Sequence, residues 1–200
     1  MKWRIEKLSQ GSNEVPMPRS GHRIVTFNGQ IFSFGGYNPN SGNSSEANLF
    51  QELWKFNLIT NQWTKIEITG DVPSNLASHS ARFCMINNTA TMIVYGGTGV
   101  PFGLNSSNSV FLCNLTDGNW TKLQITNNEH EDENVPTPLY GQAICLVQNR
   151  YLYTIGGTTG HEYHMDIHKL DLNTKTWTLL HQGRRGFDVI DNAPLDPSPR

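Results

Sequence analysis

Charge is scarce in this chain. Only 16% of its 200 residues are Asp, Glu, Lys or Arg, and the formal net charge is −2. That balance excludes the polybasic footprint of a nucleic-acid or anionic-membrane binder. No apolar run approaches the ~20 residues that a membrane helix needs. The opening Met1-Lys2-Trp3-Arg4-Ile5-Glu6 has no apolar core of the kind a secretory signal carries. Cysteine is limited to Cys84, Cys113 and Cys145, with no CxxC pair. An odd count suits a reducing compartment, and three thiols within strand-like runs are expected to be buried small hydrophobes. No segment sustains a 3.6-residue apolar period, so helices are not expected. Neither a Gly-x-Ser-x-Gly elbow nor a P-loop is present, which removes the commonest catalytic signatures.

What is present is repetition. Trp3, Trp63, Trp120 and Trp177 follow one another at gaps of 60, 57 and 57 residues. Each opens a short alternating run, such as Trp120-Thr121-Lys122-Leu123. In phase with them, Gly35-Gly36, Gly96-Gly97 and Gly156-Gly157 each end an apolar strand. Adjacent glycines there supply φ > 0 and close backbone approach. Another apolar strand precedes each pair, at 22–27, 81–86 and 142–147. Asn28-Gly29 joins the first of these hairpins by two-residue turn chemistry. A third strand follows a variable loop, at 53–58, 110–115 and 167–172, and the marker Trp comes five residues after its closing Leu.

Each repeat therefore reads as four short antiparallel strands. Apolar residues occupy both parities, as Leu53 against Trp54 and Phe56, so both faces of each sheet are expected to be covered. The marker tryptophans, with ~150–250 Å² each to bury, are read as packing between neighbouring sheets.

A Gly pair, a polar turn and a Trp at this period resemble the kelch repeat, whose units form β-propeller blades. The resemblance implies an all-β kelch propeller with blades at 19–68, 76–126 and 139–181. Residues 2–8 would be an orphan outer strand and 182–200 a loop leading to a further blade. Since natural propellers have typically 4–8 blades, the expected functional unit is a longer ring of about six.

Local strings narrow the resemblance. Arg19-Ser-Gly-His-Arg23, Phe34-Gly-Gly-Tyr-Asn-Pro39, Tyr95-Gly-Gly-Thr-Gly-Val-Pro-Phe-Gly103 and Gly156-Gly-Thr-Thr-Gly160 are similar to a kelch group that serves Cullin-2 ubiquitin ligases as substrate receptors. That resemblance implies attachment through Elongin B/C, capture of C-terminal degrons for proteasomal degradation, no catalysis and no cofactor. It implies the cytoplasm as location, with the nucleus open. The family's helical docking box for Elongin and Cullin has no counterpart in these 200 residues. The alternative function is a scaffold that binds a folded cytoskeletal or signalling protein.

Binding a tail requires donors for a carboxylate and a lined slot for side chains. In kelch propellers these come from the start of each first strand and the turn after each Gly pair. The candidates are Arg19, Ser20, Tyr37 and Asn38 in the first repeat and Ser78, Thr98, Pro101 and Phe102 in the second. The third repeat offers Tyr140, Gln142, Thr158, Thr159, His161 and Tyr163. Arg19 has a competing role as a loop brace. Arg23 and Arg82, within strands, are expected to pair with carboxylates such as Glu52. His161, His164 and His168 hint at a metal set, but the first two are read as loop residues and nothing completes the set. The iron-binding string Glu-x-x-x-Asp-x-x-x-His of some plant kelch proteins is broken, with Leu170 in its third place.

Overall fold

The computed structural model describes residues 14–41, 49–74, 76–127 and 133–183. The orphan strand expected at 2–8, with Trp3, lies outside them, as does most of 182–200. The described residues form thirteen strands: β1 (Arg23–Phe27), β2 (Gln30–Phe34), β3 (Leu53–Asn57), β4 (Gln62–Ile66), β5 (Thr69–Gly70), β6 (Ser80–Ile86), β7 (Thr89–Tyr95), β8 (Val110–Asn114), β9 (Asn119–Lys122), β10 (Ala143–Val147), β11 (Tyr151–Thr158), β12 (Tyr163–Asp171) and β13 (Thr176–His181). They form three sheets, β1-β2-β3-β4, β5-β9-β8-β7-β6 and β10-β11-β12-β13. Each is an antiparallel meander, because short polar turns return each strand beside the last.

Two details depart from the simple repeat. The middle sheet gains a fifth strand, β5, paired parallel with β9 and drawn from the linker after the first blade. The linker before the third blade does related work through side chains. Asn127 Nδ2 donates to the Trp177 carbonyl, and Asn127 Oδ1 accepts from the Trp177 N–H. Incoming linkers thereby cap outer edges that would otherwise present unpaired backbone. The second departure is in the third blade, where β11 runs through Gly156-Gly157 instead of ending there, with a register shift between Ile155 and Gly157.

Both faces of the middle sheet are buried. Ala90, Met92, Val94, Cys113 and Trp120 pack with Val25, Phe32, Phe34 and Leu53 of the first blade. Cys84, Ile93, Tyr95 and Val110 pack with Ile144, Leu152, Leu170 and Trp177 of the third. The two apolar parities read in the sequence are thus two separate cores, one per seam.

The marker tryptophans explain the period. Trp120 lies 4.4 Å from the Phe34 ring and Trp177 lies 5.5 Å from the Tyr95 ring. Each therefore reaches the aromatic that immediately precedes the Gly pair of the blade before it. Trp63 differs: it is half-buried and packs within its own blade on Trp54 and Phe56. The second glycine of a pair does the backbone part. Gly36 N–H donates to the Leu76 carbonyl and Gly97 N–H to the Leu139 carbonyl, one bond across each seam. Gly97 has φ 93°, and a Cβ there would sit 2.7 Å from the His79 Cβ.

The thiols divide. Burial raises Cys84 to about 11 and Cys113 to about 12, so both stay protonated. Cys145 is exposed on β10, against the expectation that all three are buried. Its side of the strand turns away from the seam with the second blade, while Ile144 fills that seam.

Replacing Trp177, 2% exposed, with Ala should cost about 3–5 kcal/mol of stability. Urea unfolding followed by circular dichroism would measure it, and a cost below about 1 kcal/mol would show that this ring does not hold the seam.

Candidate functional site

The turns after the Gly pairs and the starts of the first strands lie at the same end of every blade. Three antiparallel bridges hold them together: Ser20 with Tyr37, Ala77 with Thr98 and Tyr140 with Thr158. Neighbouring blades are laced at this end by Ser78 N–H to the Gly21 carbonyl and Gly141 N–H to the Ser78 carbonyl. Ser78, at φ 54°, is a relay in that lacing.

Several sequence candidates are consumed by this framework. Arg19 donates to Glu52 Oε2 at 2.7 Å and to the Met17 and Gly35 carbonyls, and stacks 3.9 Å over Phe50. With its side chain only 5% exposed, it braces the loop and is not offered to a ligand. Thr98 is fully buried; its hydroxyl accepts from Gly103 N–H and donates to the Gly99 carbonyl. Gln142 is 3% exposed and donates to the Tyr95 carbonyl at 3.0 Å, filling the space opposite Gly96. Ser80, beside it in space, donates its hydroxyl to the Gln142 carbonyl. Asn38 closes its own turn, accepting from Asn40 N–H and donating to the Pro18 carbonyl. Thr158 and Thr159 accept from Gly160, His161 and Glu162 amides and shape the third turn.

Other candidates are brought together in the open. Phe102 lies 5.2 Å from Tyr37 and 6.1 Å from Tyr140, edge-on to both. One ring comes from each blade, so an aromatic row crosses all three. Phe102 is 40% exposed and follows Pro101, whose bond to Val100 is cis. Ser20, His161 and Tyr163 are exposed at the same end.

Glu52 collects three donors: Arg19 Nη2 and Lys65 Nζ at 2.7 Å each, and Trp54 Nε1 at 2.9 Å. Burial raises its pKa, but the hydrogen bonds from Lys65, Trp54 and Arg19 outweigh burial and bring it to about 2. Arg23 and Arg82 therefore lack the carboxylate expected for them. Among the described residues, each guanidinium donates to the backbone carbonyl before it, His22 and Ala81 respectively, and to no carboxylate. They stand on β1 and β6, strands packed side by side as the first of their blades. Burial, and then the charge of Arg82, lower the Arg23 pKa. Two neighbouring cations without a carboxylate among the described residues form an anion-attracting pair. Sequence reading passed over them because strand arginines usually find a partner; the clue was their place on first strands.

The histidines make no metal centre. His164 lies on β12, not in a loop, and is 2% exposed. Its ring stands 3.6 Å from Asp166 and 3.7 Å from Glu162. Among the described residues no group of three or more His, Cys, Asp or Glu side chains is arranged to hold a metal. His79 is fully buried beside Phe34, and burial, with the charges of Arg23 and His22, brings its pKa down to about 3. It is neutral at physiological pH.

A carboxylate held below its usual value contributes stability above its unfolded pKa, and that stability fades as pH falls. Glu52→Gln should cost on the order of 1–3 kcal/mol at neutral pH. The gap to wild type should stay whole above pH 4.5 and close toward about 2. Urea unfolding at a series of pH values checks this; a gap independent of pH would mean that the charge of Glu52 is not what binds the hub.

Residues 1–186 match the KLHDC2/KLHL20/DRC7 Kelch-repeats domain model. The chain is 38% identical over 191 residues to human Kelch domain-containing protein 10, covering 93% of this chain and 41% of that protein. It is 38% identical over 187 residues to the Xenopus laevis protein of that name, covering 91% and 43%. It is 36% identical over 177 residues to the Drosophila melanogaster Kelch domain-containing protein 10 homolog, covering 84% and 28%. The chain thus spans about two fifths of the length of the two vertebrate relatives. With three sheets built around Gly pairs and marker tryptophans, the chain belongs to this kelch-repeat family of protein-binding modules.

Proposed function

We propose that this chain is the recognition part of a non-catalytic receptor that captures the C-terminal tails of other proteins. The observation that carries this reading is the Arg23–Arg82 pair, two guanidiniums on adjacent first strands whose hydrogen-bond partners among the described residues are backbone carbonyls. The C-terminal carboxylate of a peptide is a planar anion, and guanidinium forks suit it. The Tyr37–Phe102–Tyr140 row offers apolar faces and edges for the side chains that precede the terminus. Ser20, His161 and Tyr163 form its exposed polar rim. The resemblance to Cullin-2 receptors supports delivery of the captured protein to ubiquitination, with Elongin B/C and Cullin-2 as partners of the whole protein and the cytoplasm or nucleus as its place of work.

Fluorescence anisotropy on the full-length protein tests the reading with a peptide pool carrying free C-terminal carboxylates and the same pool amidated. Free termini should bind and amidated ones should lose at least about tenfold in affinity, roughly 1.4 kcal/mol. Arg82→Ala should weaken the free form by a similar factor, and Phe102→Ala should weaken both forms. Equal binding of free and amidated pools would overturn tail capture and favour the scaffold reading, in which a folded partner is held without regard to its terminus.

A further inference from the structure

The three blades permit an internal comparison at one particular place. Shifting by the 57-residue period superimposes Arg19, Glu52, Trp54 and Lys65 on Leu76, Ser109, Phe111 and Lys122. In the first blade the lysine ammonium lies 5.6 Å over the Trp54 ring and is neutralised by Glu52 at 2.7 Å. In the second blade the lysine keeps its aromatic platform, with Lys122 Nζ 6.0 Å over Phe111. Ser109 takes the place of the carboxylate, and Leu76 that of the arginine that also fills the first-blade hub. The third blade again has an acid at this position, Asp166, whose carboxylate accepts from Gly183 N–H. Among the described residues, Lys122 of the middle blade is a lysine at this place with no carboxylate at ion-pair distance.

The missing groups leave space. A cleft of about 610 Å³ lies between the first and second blades, with Leu76, Ser109, Phe111 and Lys122 all in its wall. Ser74 and Asn105 add polar groups to the same wall, and none of the described residues lining it is acidic. Ser109 gives its N–H to Ser107 Oγ, and its own hydroxyl is not engaged by that bond. Lys122 N–H is tied to Asp71 Oδ2 at 3.1 Å, which fixes the strand end from which the ammonium projects.

We infer that this cleft is a second binding site, for an acidic side chain of the captured protein, whose carboxylate takes the place that Glu52 fills in the first blade. Lys122 supplies the charge, the Ser109 hydroxyl donates to the second oxygen, and Phe111 and Leu76 pack on the methylene stem. The cleft is walled by the 99–109 loop, the linker around Ser74 and residues of β8 and β9, and neither Arg23 nor Arg82 lines it, so it reads a residue other than the terminus. The inference rests on the chain being a protein-recognition module, but not on tail capture.

The test uses two amidated peptides, acetyl-Gly-Ser-Glu-Ser-Gly-amide and its Gln counterpart, which carry no terminal carboxylate and so cannot report on the arginine pair. Both are titrated into 15N-labelled protein, with the Ser109 and Lys122 amide signals followed. The Glu peptide should shift both signals saturably, with millimolar affinity, and the Gln peptide should not. Lys122→Gln should weaken binding at least about tenfold, while Lys122→Arg should retain it. Ser109→Glu should abolish binding by restoring the internal ion pair, and should raise the melting temperature. Equal shifts from both peptides, no saturable shift with either, unchanged binding by Lys122→Gln, or full binding by Ser109→Glu would each overturn the proposal. Loss of the arginine-pair response in the tail experiment would leave this outcome untouched.

Discussion

Everything in this molecule depends on the seam between consecutive blades. A short four-stranded sheet cannot bury both faces alone, so each blade is stable only against its neighbours. The seam has two parts. Trp120 or Trp177 closes on the aromatic ring that ends the second strand of the preceding blade. The Gly36 or Gly97 amide then reaches the carbonyl at the start of the next blade. The Trp supplies apolar area and the glycine supplies the approach, and neither works without the other. The end of each blade that carries the turns after the Gly pairs is the end that this lacing holds.

That lacing decides which polar residues remain for binding. Blade ends are rich in hydrogen-bonding side chains, and most are spent on the framework. Arg19 is the clearest case: three carbonyl or carboxylate partners and an aromatic platform take the whole guanidinium. Gln142 and Thr98 are spent similarly, each on backbone groups of a turn or of a neighbouring blade. Charge that is not spent stands out against this background. Arg23, Arg82 and Lys122 keep cationic groups with no carboxylate partner among the described residues. In a chain where only 16% of residues are charged, these groups are the basis of the two binding proposals.

Much of the fold was legible because its signals are local and recur. The Gly pairs, the hairpin turn at Asn28-Gly29 and the double-parity apolar strands require no knowledge of distant contacts. Less of the site was legible, since the same residue type serves opposite ends depending on what stands across the seam. Arg19 and Arg23 are four residues apart, yet one is locked to Glu52 and the other is not. The sequence alone suggested the reverse pairing with Glu52. Cys145 and Cys84 sit on equivalent first strands, but one lies within a seam and the other on a face turned from it. His164 was read in a loop because β12 begins earlier than its apolar run does, its first residues being polar and held by pairing with Gly157 and Thr158.

By itself the chain determined the repeat, the four-strand meander of each unit and the role of Trp120 and Trp177, because periodic apolar and glycine positions constrain backbone geometry directly; the fifth strand of the middle sheet was not among these. Tertiary structure alone decided which cations are compensated and which rings meet. Tyr37, Phe102 and Tyr140 are separated by 65 and 38 residues, and only the docking of three blades sets them in one row. The physical reason is that pairing and exposure are properties of a seam, and a seam is made by residues far apart in the sequence, 40 positions between Gly36 and Leu76 and 86 between Phe34 and Trp120.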